Sequence, residues 1–301
     1  MNTHTHSHEL AHTYAHKVLA VLLTAMMHDV GHDGLNNTYH KNALTTRART
    51  FNDQSIQENF HLRMVPEICG RCCCSIYVPA HFCTPDYLST DSSPCALASC
   101  IMCALADWQM FVSAFVHTQT HAHAHVTCML QVFDSMQTRP QINFMHELDY
   151  SLVGQLRDLM IHMVLHTDMS KHFVSLKEFK LLAEKNKSSP ELWQPQVLPL
   201  LSHVLHTCDI SAQAKTRELA VAWCERCMEE FFLQGDAEKE EGLPVSPLCD
   251  RDSTPVAASQ VGFIQFVVLP QFQALALVLP QASRYVDQLN SNVAYWQSLV
   301  K

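Results

Sequence analysis

The chain has 301 residues, a net charge of −9 and a pI near 6.1. Its 20 basic residues are scattered and form no stripe, which argues against a nucleic-acid partner. With only 7 glycines and long apolar runs at helical spacing, the composition points to an all-α protein able to bury a large core.

Two residue types are overused. Many of the 20 histidines fall in two tracts, Thr3–His8 and His117–His125, and nine of the 13 cysteines lie between Cys69 and Cys128. The N-terminus is polar and His-rich, without the basic-then-apolar order of a secretory signal. Outside the Cys-rich stretch, cysteine usage fits a reducing, cytoplasmic compartment.

Residues 1–19 read as a low-complexity, His-rich extension. From about Glu9 an apolar helix pattern runs through Val18, Leu19, Leu22, Leu23, Met26 and Met27 into His28, and Asn36-Asn37 marks the turn that follows. A second helix is predicted around residues 41–62. Residues 65–129 keep no single period and read as a Cys/His-rich insert.

From about Gln131 helical grammar returns. Leu152, Val153, Leu156, Leu159, Met160, Met163 and Val164 form an apolar stripe that ends at Thr167-Asp-Met-Ser-Lys-His172. A helix from Gln194 leads into Cys208-Asp-Ile-Ser211. The next carries Trp223, Met228, Phe231 and Phe232, is expected to stop at Gln234-Gly235-Asp236, and leaves Asp236 to Glu241 as a solvated acidic face. Residues 259–279 form an apolar helix bearing Gln260 and Phe263 and interrupted at Pro270. A last helix, Ala282 to Leu299, closes the chain.

The densest chemistry lies in His28-Asp-Val-Gly-His-Asp-Gly-Leu-Asn-Asn-Thr-Tyr39. Adjacent His and Asp at a helix end can both reach one metal ion, His giving a neutral nitrogen and Asp a bridging oxygen. Beside it stand Phe51-Asn-Asp-Gln-Ser-Ile-Gln-Glu-Asn59, Met163-Val-Leu-His-Thr-Asp-Met-Ser-Lys-His172, Cys208-Asp-Ile-Ser211, Met228 to Asp236, Pro244-Val-Ser-Pro-Leu-Cys-Asp-Arg251 and Ser259-Gln-Val-Gly-Phe263. In this order the motifs resemble the catalytic domain of the class I cyclic nucleotide phosphodiesterases, metal-dependent HD-type hydrolases of cyclic AMP and cyclic GMP. The resemblance covers residues 20–64 and 130–301.

It implies a compact multi-helix fold around a dinuclear metal site. Two ions about 3.5–4 Å apart can activate a water and neutralise phosphoryl charge. By resemblance His28, Asp29 and Asp209 are metal ligands, one site suiting Zn²⁺ and the other Mg²⁺ or Mn²⁺. His32, Glu58 and Thr167 resemble the catalytic groups that orient water at the ions. Gln260, Phe263 and Met169 resemble the substrate-binding set, Gln260 bonding the purine edge and Phe263 stacking on the base. His61 and His172 are ambiguous between a structural and a catalytic role, the structural one being preferred. The expected partner is a cyclic nucleotide, with no nucleic-acid polymer and no membrane, and the resemblance is compatible with a homodimer.

The sequence also departs from the family. No His-Asn-x-x-His-Ala helix precedes His28, so the domain is expected to be N-terminally incomplete, without one metal His and the proton-donating His. His16 does not replace them, because it lies 12 residues from His28, about 18 Å along a helix. Ala212-Gln213 stands where many members have Asn-Pro, which leaves the choice between cyclic AMP and cyclic GMP open.

For residues 65–129, the cysteine pairs Cys69/Cys72 and Cys100/Cys103 allow a zinc module. Cys95–Val116 is long enough for a membrane span, but Asp107 is central and costs roughly 2.5–3.5 kcal/mol. The preferred reading is that the His-Thr and His-Ala alternations are translated CA-rich repeats. Function is expected to be hydrolysis of a 3′,5′-cyclic nucleotide to the 5′-monophosphate. The alternative is an inactive cyclic nucleotide-binding or regulatory relative.

Overall fold

A computed structural model of the chain describes residues 16–71, 149–187 and 189–300. The His tracts, most of the cysteine cluster and the candidate span Cys95–Val116 lie outside the described residues. Among the described residues there is no strand, and no helix is long and apolar enough to cross a membrane.

In chain order the helices are α1 (16–27), α2 (Asn37–Asn42), α3 (Thr46–Thr50), α4 (Ile56–Arg71), α5 (Tyr150–His166), α6 (His172–Asn186), α7 (Pro190–Trp193), α8 (Val197–Asp209), α9 (Arg217–Glu240), α10 (Val256–Gly262), α11 (Leu269–Ala276) and α12 (Ser283–Leu299). A π-helical turn, Phe263–Val268, joins α10 to α11. The described residues divide into two compact units, one falling within Met1–Gly31, Phe60–His166 and Pro190–Leu205, the other within His32–Asn59, Thr167–Ser189 and His206–Lys301.

In the first unit α1 buries Ala20, Val21, Leu23 and Met27, and α5 buries Leu156, Met160, Met163 and Val164. These repeats of three and four residues keep apolar side chains on one helical face. Leu200, Leu201 and Val204 of α8 are fully buried, as is Trp193.

The second unit contains most of the stretch predicted as one helix over 41–62, and here the structure corrects the sequence reading. Asn36 caps α2 by accepting from Tyr39 N at 2.9 Å, and Thr45 caps α3 by accepting from Ala48 N at 3.2 Å. Between them Leu44 has φ +49°, with Leu44 N bonded to Lys41 O and Thr45 N to His40 O. That is a Schellman stop built on a leucine where glycine is usual. Asn52, Asp53 and Ser55 also adopt positive φ before α4 begins. A single helix cannot pass through four left-handed residues.

The core of this unit is formed by Cys224 and Met228 of α9, Ile264 and Val268 of the π turn, Phe272 of α11, and Leu289, Val293 and Trp296 of α12. α9 does not stop at Gln234-Gly235-Asp236. It runs on to Glu240 and ends at Gly242, φ +69°, where Leu243 N bonds to Glu238 O and Gly242 N to Lys239 O. Gly235 is required by packing: a Cβ there would come 1.8 Å from Cys249 O. Nor is the following acidic stretch wholly solvated. Glu238 is fully buried and accepts from Ser246 N (2.7 Å), Ser246 Oγ (2.6 Å) and Gln234 Nε2 (2.9 Å).

Candidate metal centre

α1 ends on the His-Asp pair. His28 N still bonds to Thr24 O at 2.8 Å, so its ring is fixed to the last helical turn. His28 Nδ1 lies 3.0 Å from Ala25 O. A carbonyl only accepts, so Nδ1 carries the proton and the neutral ring keeps its lone pair on Nε2. That Nε2 is 3.2 Å from Asp29 Oδ2. In the neutral ring the two atoms aim lone pairs at the same space, and a cation between them satisfies both.

His61 repeats the arrangement from α4 in the same unit. It is buried, and its Nδ1 lies 2.8 Å from Val30 O, so it too keeps its lone pair on Nε2. That atom is 3.9 Å from Asp29 Oδ1, the other carboxylate oxygen. Gly31 permits this approach: its φ is +76°, and a Cβ would meet Phe60 Cε1 at 3.1 Å. Two imidazole nitrogens and an exposed carboxylate are a donor set suited to a divalent transition ion once the rings are neutral. The sequence reading took His61 as structural. The usable signal was its place three residues after Glu58, which puts it near Glu58 on a helix face, but nothing in that spacing reveals the tautomer.

The second unit holds the remaining sequence-predicted residues. His32 Nδ1 accepts from Gly34 N at 2.9 Å, the opposite assignment to His28 and His61, so the neutral His32 ring carries its proton on Nε2. The turn that bears it is pinned. Asn36 N donates to Gln234 Oε1 at 2.9 Å, and Gln57 Nε2 donates to Leu35 O at 2.6 Å and Asp33 Oδ1 at 2.7 Å. Burial pushes Asp33 up. The bonds from His40 and Gln57 and the Arg47 charge outweigh it and hold the carboxyl well below the usual range. Sequence reading passed over Asp33, Arg47 and Gln57.

Glu58 accepts from Asn37 Nδ2 at 3.0 Å. Burial raises its pKa, and the Asn37 bond only partly offsets that. Half-buried Thr167 precedes Asp168, whose carboxylate accepts from Ser55 Oγ (2.6 Å) and Ser170 N (2.8 Å) and so sets the turn carrying exposed Met169. Asp209 is the half-buried last residue of α8. Gln260 is buried on α10 and Phe263 half-buried at the start of the π turn.

His172 is fully buried. Its Nδ1 lies 3.0 Å from His206 Nε2 and 3.3 Å from Gln271 Nε2, and burial together with His206 pushes its pKa down to about 4.

Comparison with known proteins places the chain in a family. A model of the 3′,5′-cyclic nucleotide phosphodiesterases matches residues 1–80 and 110–289. The chain is 29% identical over 290 residues to 3′,5′-cyclic-AMP phosphodiesterase, isoform F, of Drosophila melanogaster, covering 94% of this chain and 34% of that one. It is 30% identical over 259 residues to the dual specificity calcium/calmodulin-dependent 3′,5′-cyclic nucleotide phosphodiesterase 1C of Mus musculus, covering 86% of this chain and 26% of the relative. The chain thus spans about a third or less of these relatives' length. The crystal structure of the phosphodiesterase domain of Salpingoeca rosetta rhodopsin phosphodiesterase shares the fold, with a TM-score of 0.66 at 24% identity over 95% of this chain and 67% of that one. With the family's pattern matched over most of its length, the chain belongs to the 3′,5′-cyclic nucleotide phosphodiesterases.

Proposed function

We propose that the chain hydrolyses a 3′,5′-cyclic nucleotide to the 5′-monophosphate, with divalent ions held by His28, Asp29 and Asp209 and with His61 as a further nitrogen donor beside Asp29. The observation that carries this reading is that His28 Nε2 and His61 Nε2 lie 3.2 Å and 3.9 Å from the two oxygens of Asp29, each ring having its Nδ1 on a backbone carbonyl. A nitrogen-containing site suits Zn²⁺, and an oxygen-rich one suits Mg²⁺ or Mn²⁺. When bound, such ions supply Lewis acidity toward the phosphoryl oxygens and make water more acidic.

The remaining work falls to the chain's own side chains. His32, with its proton on Nε2, is a hydrogen-bond donor and so suits an anionic oxygen. Glu58, raised by burial, keeps a proton to higher pH than an exposed carboxyl. The Thr167 hydroxyl both donates and accepts, which suits holding a water. The Gln260 amide offers one donor and one acceptor face and can pair with either purine edge, while Phe263 supplies a ring for the base and Met169 an apolar neighbour.

The test is the purified chain with Mg²⁺ and Zn²⁺, given cyclic AMP or cyclic GMP, with 5′-monophosphate followed by chromatography. Turnover that disappears with a chelator and in Asp29→Ala is expected. Saturable binding without product would replace catalysis by nucleotide sensing, and neither binding nor product would overturn the reading.

A further inference from the structure

The buried side of the α10–α11 segment is spaced oddly for a helix. Gln260, Ile264, Val268 and Phe272 are all buried, and they recur every four residues. On a regular helix of 3.6 residues per turn, a row spaced by four drifts about 40° at each step, or about 120° from the first to the last. Gln260 would then face away from the side that Phe272 buries.

The π turn removes that drift. Leu269 N bonds to Ile264 O, five residues back, so Phe263–Val268 holds one more residue than an α-helical turn. One inserted residue returns about 100°, which brings the four side chains onto one face. The cause of the turn stands immediately after it. Pro270 has no N–H to give to Phe266 O, and in an α-helix its ring would crowd that carbonyl. Widening the turn moves the carbonyl away from the ring. The surplus residue is spent on the outer side, where Phe266 is 69% exposed.

We propose that Pro270 is a positioning residue: by holding the π turn open it sets the direction of Gln260 and Phe263 relative to α11, whose Phe272, Ala274 and Leu275 are anchored in the core. This rests on the reading above that Gln260 and Phe263 receive the base. Pro270→Ala supplies the missing N–H and removes the ring, so the turn closes to α-helix and Gln260 swings off the buried row.

Three measurements test it on the full chain with Mg²⁺ and Zn²⁺. In Pro270→Ala, KM for cyclic AMP or cyclic GMP rises about tenfold, the scale of one misplaced hydrogen bond or ring stack. Hydrolysis of bis(p-nitrophenyl) phosphate, which has no base to place, stays unchanged. Deleting Phe266 in the Pro270→Ala background restores the buried row on a regular helix, and KM recovers.

Unchanged KM in Pro270→Ala, or no recovery on deletion of Phe266, overturns the proposal; so does an equal loss on the substrate without a base. If the parent chain neither binds nor hydrolyses cyclic nucleotides, the functional reading fails separately. Amide hydrogen exchange then reads the turn itself: slower exchange over residues 266–270 in Pro270→Ala supports the mechanism, and unchanged exchange sinks it.

Discussion

Arg47 Nη1 lies 2.9 Å from Asp33 Oδ2, tying α3 to the turn that carries His32. The same carboxylate takes Gln57 Nε2 on its other oxygen at 2.7 Å. Both charges are partly exposed, so solvent screens the ion pair, and most of the stabilisation comes from the buried Gln57 donor. Asp33→Ala is expected to cost about 1.5 kcal/mol, and Asp33→Asn, which still accepts from Gln57, less than half of that. The folded pKa of Asp33 is depressed, so its contribution is present above the ordinary carboxyl pKa and fades as pH falls below it. Urea midpoints for both variants at neutral pH and at acid pH measure this, and equal midpoints for Asp33→Ala and the parent would remove the knot from the stability account.

Gly235 gives the opposite lesson to the usual glycine in a helix. At an open helical site Gly→Ala gains about 1 kcal/mol. Here the new methyl would meet Cys249 O at 1.8 Å and Cys249 C at 2.6 Å, both backbone atoms that cannot rotate away. Gly235→Ala is therefore expected to destabilise by about 2 kcal/mol or more. Gly154, with nothing near its Cβ position, is the control: Gly154→Ala on α5 is expected to stabilise. Thermal unfolding of the two variants should move in opposite directions.

What the sequence could and could not tell divides along physical lines. The His28-Asp29 pair, the motif order and the apolar stripe of α5 were legible because they are local patterns of residue type. The break of residues 41–62 into separate helices was not, because Leu44 is a good helix former and only the backbone bonds from Leu44 N to Lys41 O and from Thr45 N to His40 O reveal a stop. Glu238 looked solvated because its neighbours are charged, and its burial depends on Ser246, eight residues on. Pro270 was visible as an irregularity, but a helix can break at proline or widen to admit it, and only the bond from Leu269 N to Ile264 O shows which occurs here. His61 required a tautomer, which only the carbonyl of Val30 supplies.

The His172–His206 pair predicts an acid sensitivity. His172 is buried and its pKa falls from an ordinary 6.5 to about 4 through burial and the neighbouring His206. The folded state resists a proton that the unfolded chain accepts, so stability is fully present above about pH 6.5 and is lost as pH falls toward 4. His172→Gln keeps polar atoms of similar reach but cannot titrate. Its melting temperature is expected to be lower than that of the parent at pH 7.5 and to decline less steeply between pH 6.5 and 4.5. Parallel pH profiles for the two proteins would assign the acid limb to other groups.

The sharpest test of the metal centre is His61, because its role follows from geometry in one compact unit. His61→Phe fills the buried volume without a nitrogen, and His61→Asn keeps a donor near Nδ1 to bond Val30 O while removing Nε2. If Nε2 matters only through Asp29 and the ion, His61→Asn should keep a parent-like melting curve in the presence of chelator. His61→Phe, which loses the bond to Val30 O, should be destabilised by about 1 kcal/mol. Both should also bind Zn²⁺ about 10–100-fold more weakly by titration calorimetry, the cost typical of removing a group that supports a metal site. His28→Ala should weaken binding further, since His28 Nε2 lies closer to Asp29, at 3.2 Å against 3.9 Å. A chelated melting curve that collapses in His61→Asn would show that its amide had failed to replace Nδ1 on Val30 O, and zinc affinity would then be compared at a temperature where all the variants are folded. Unchanged zinc affinity in both would return His61 to a purely structural role and leave His28, Asp29 and Asp209 as the proposed ligands.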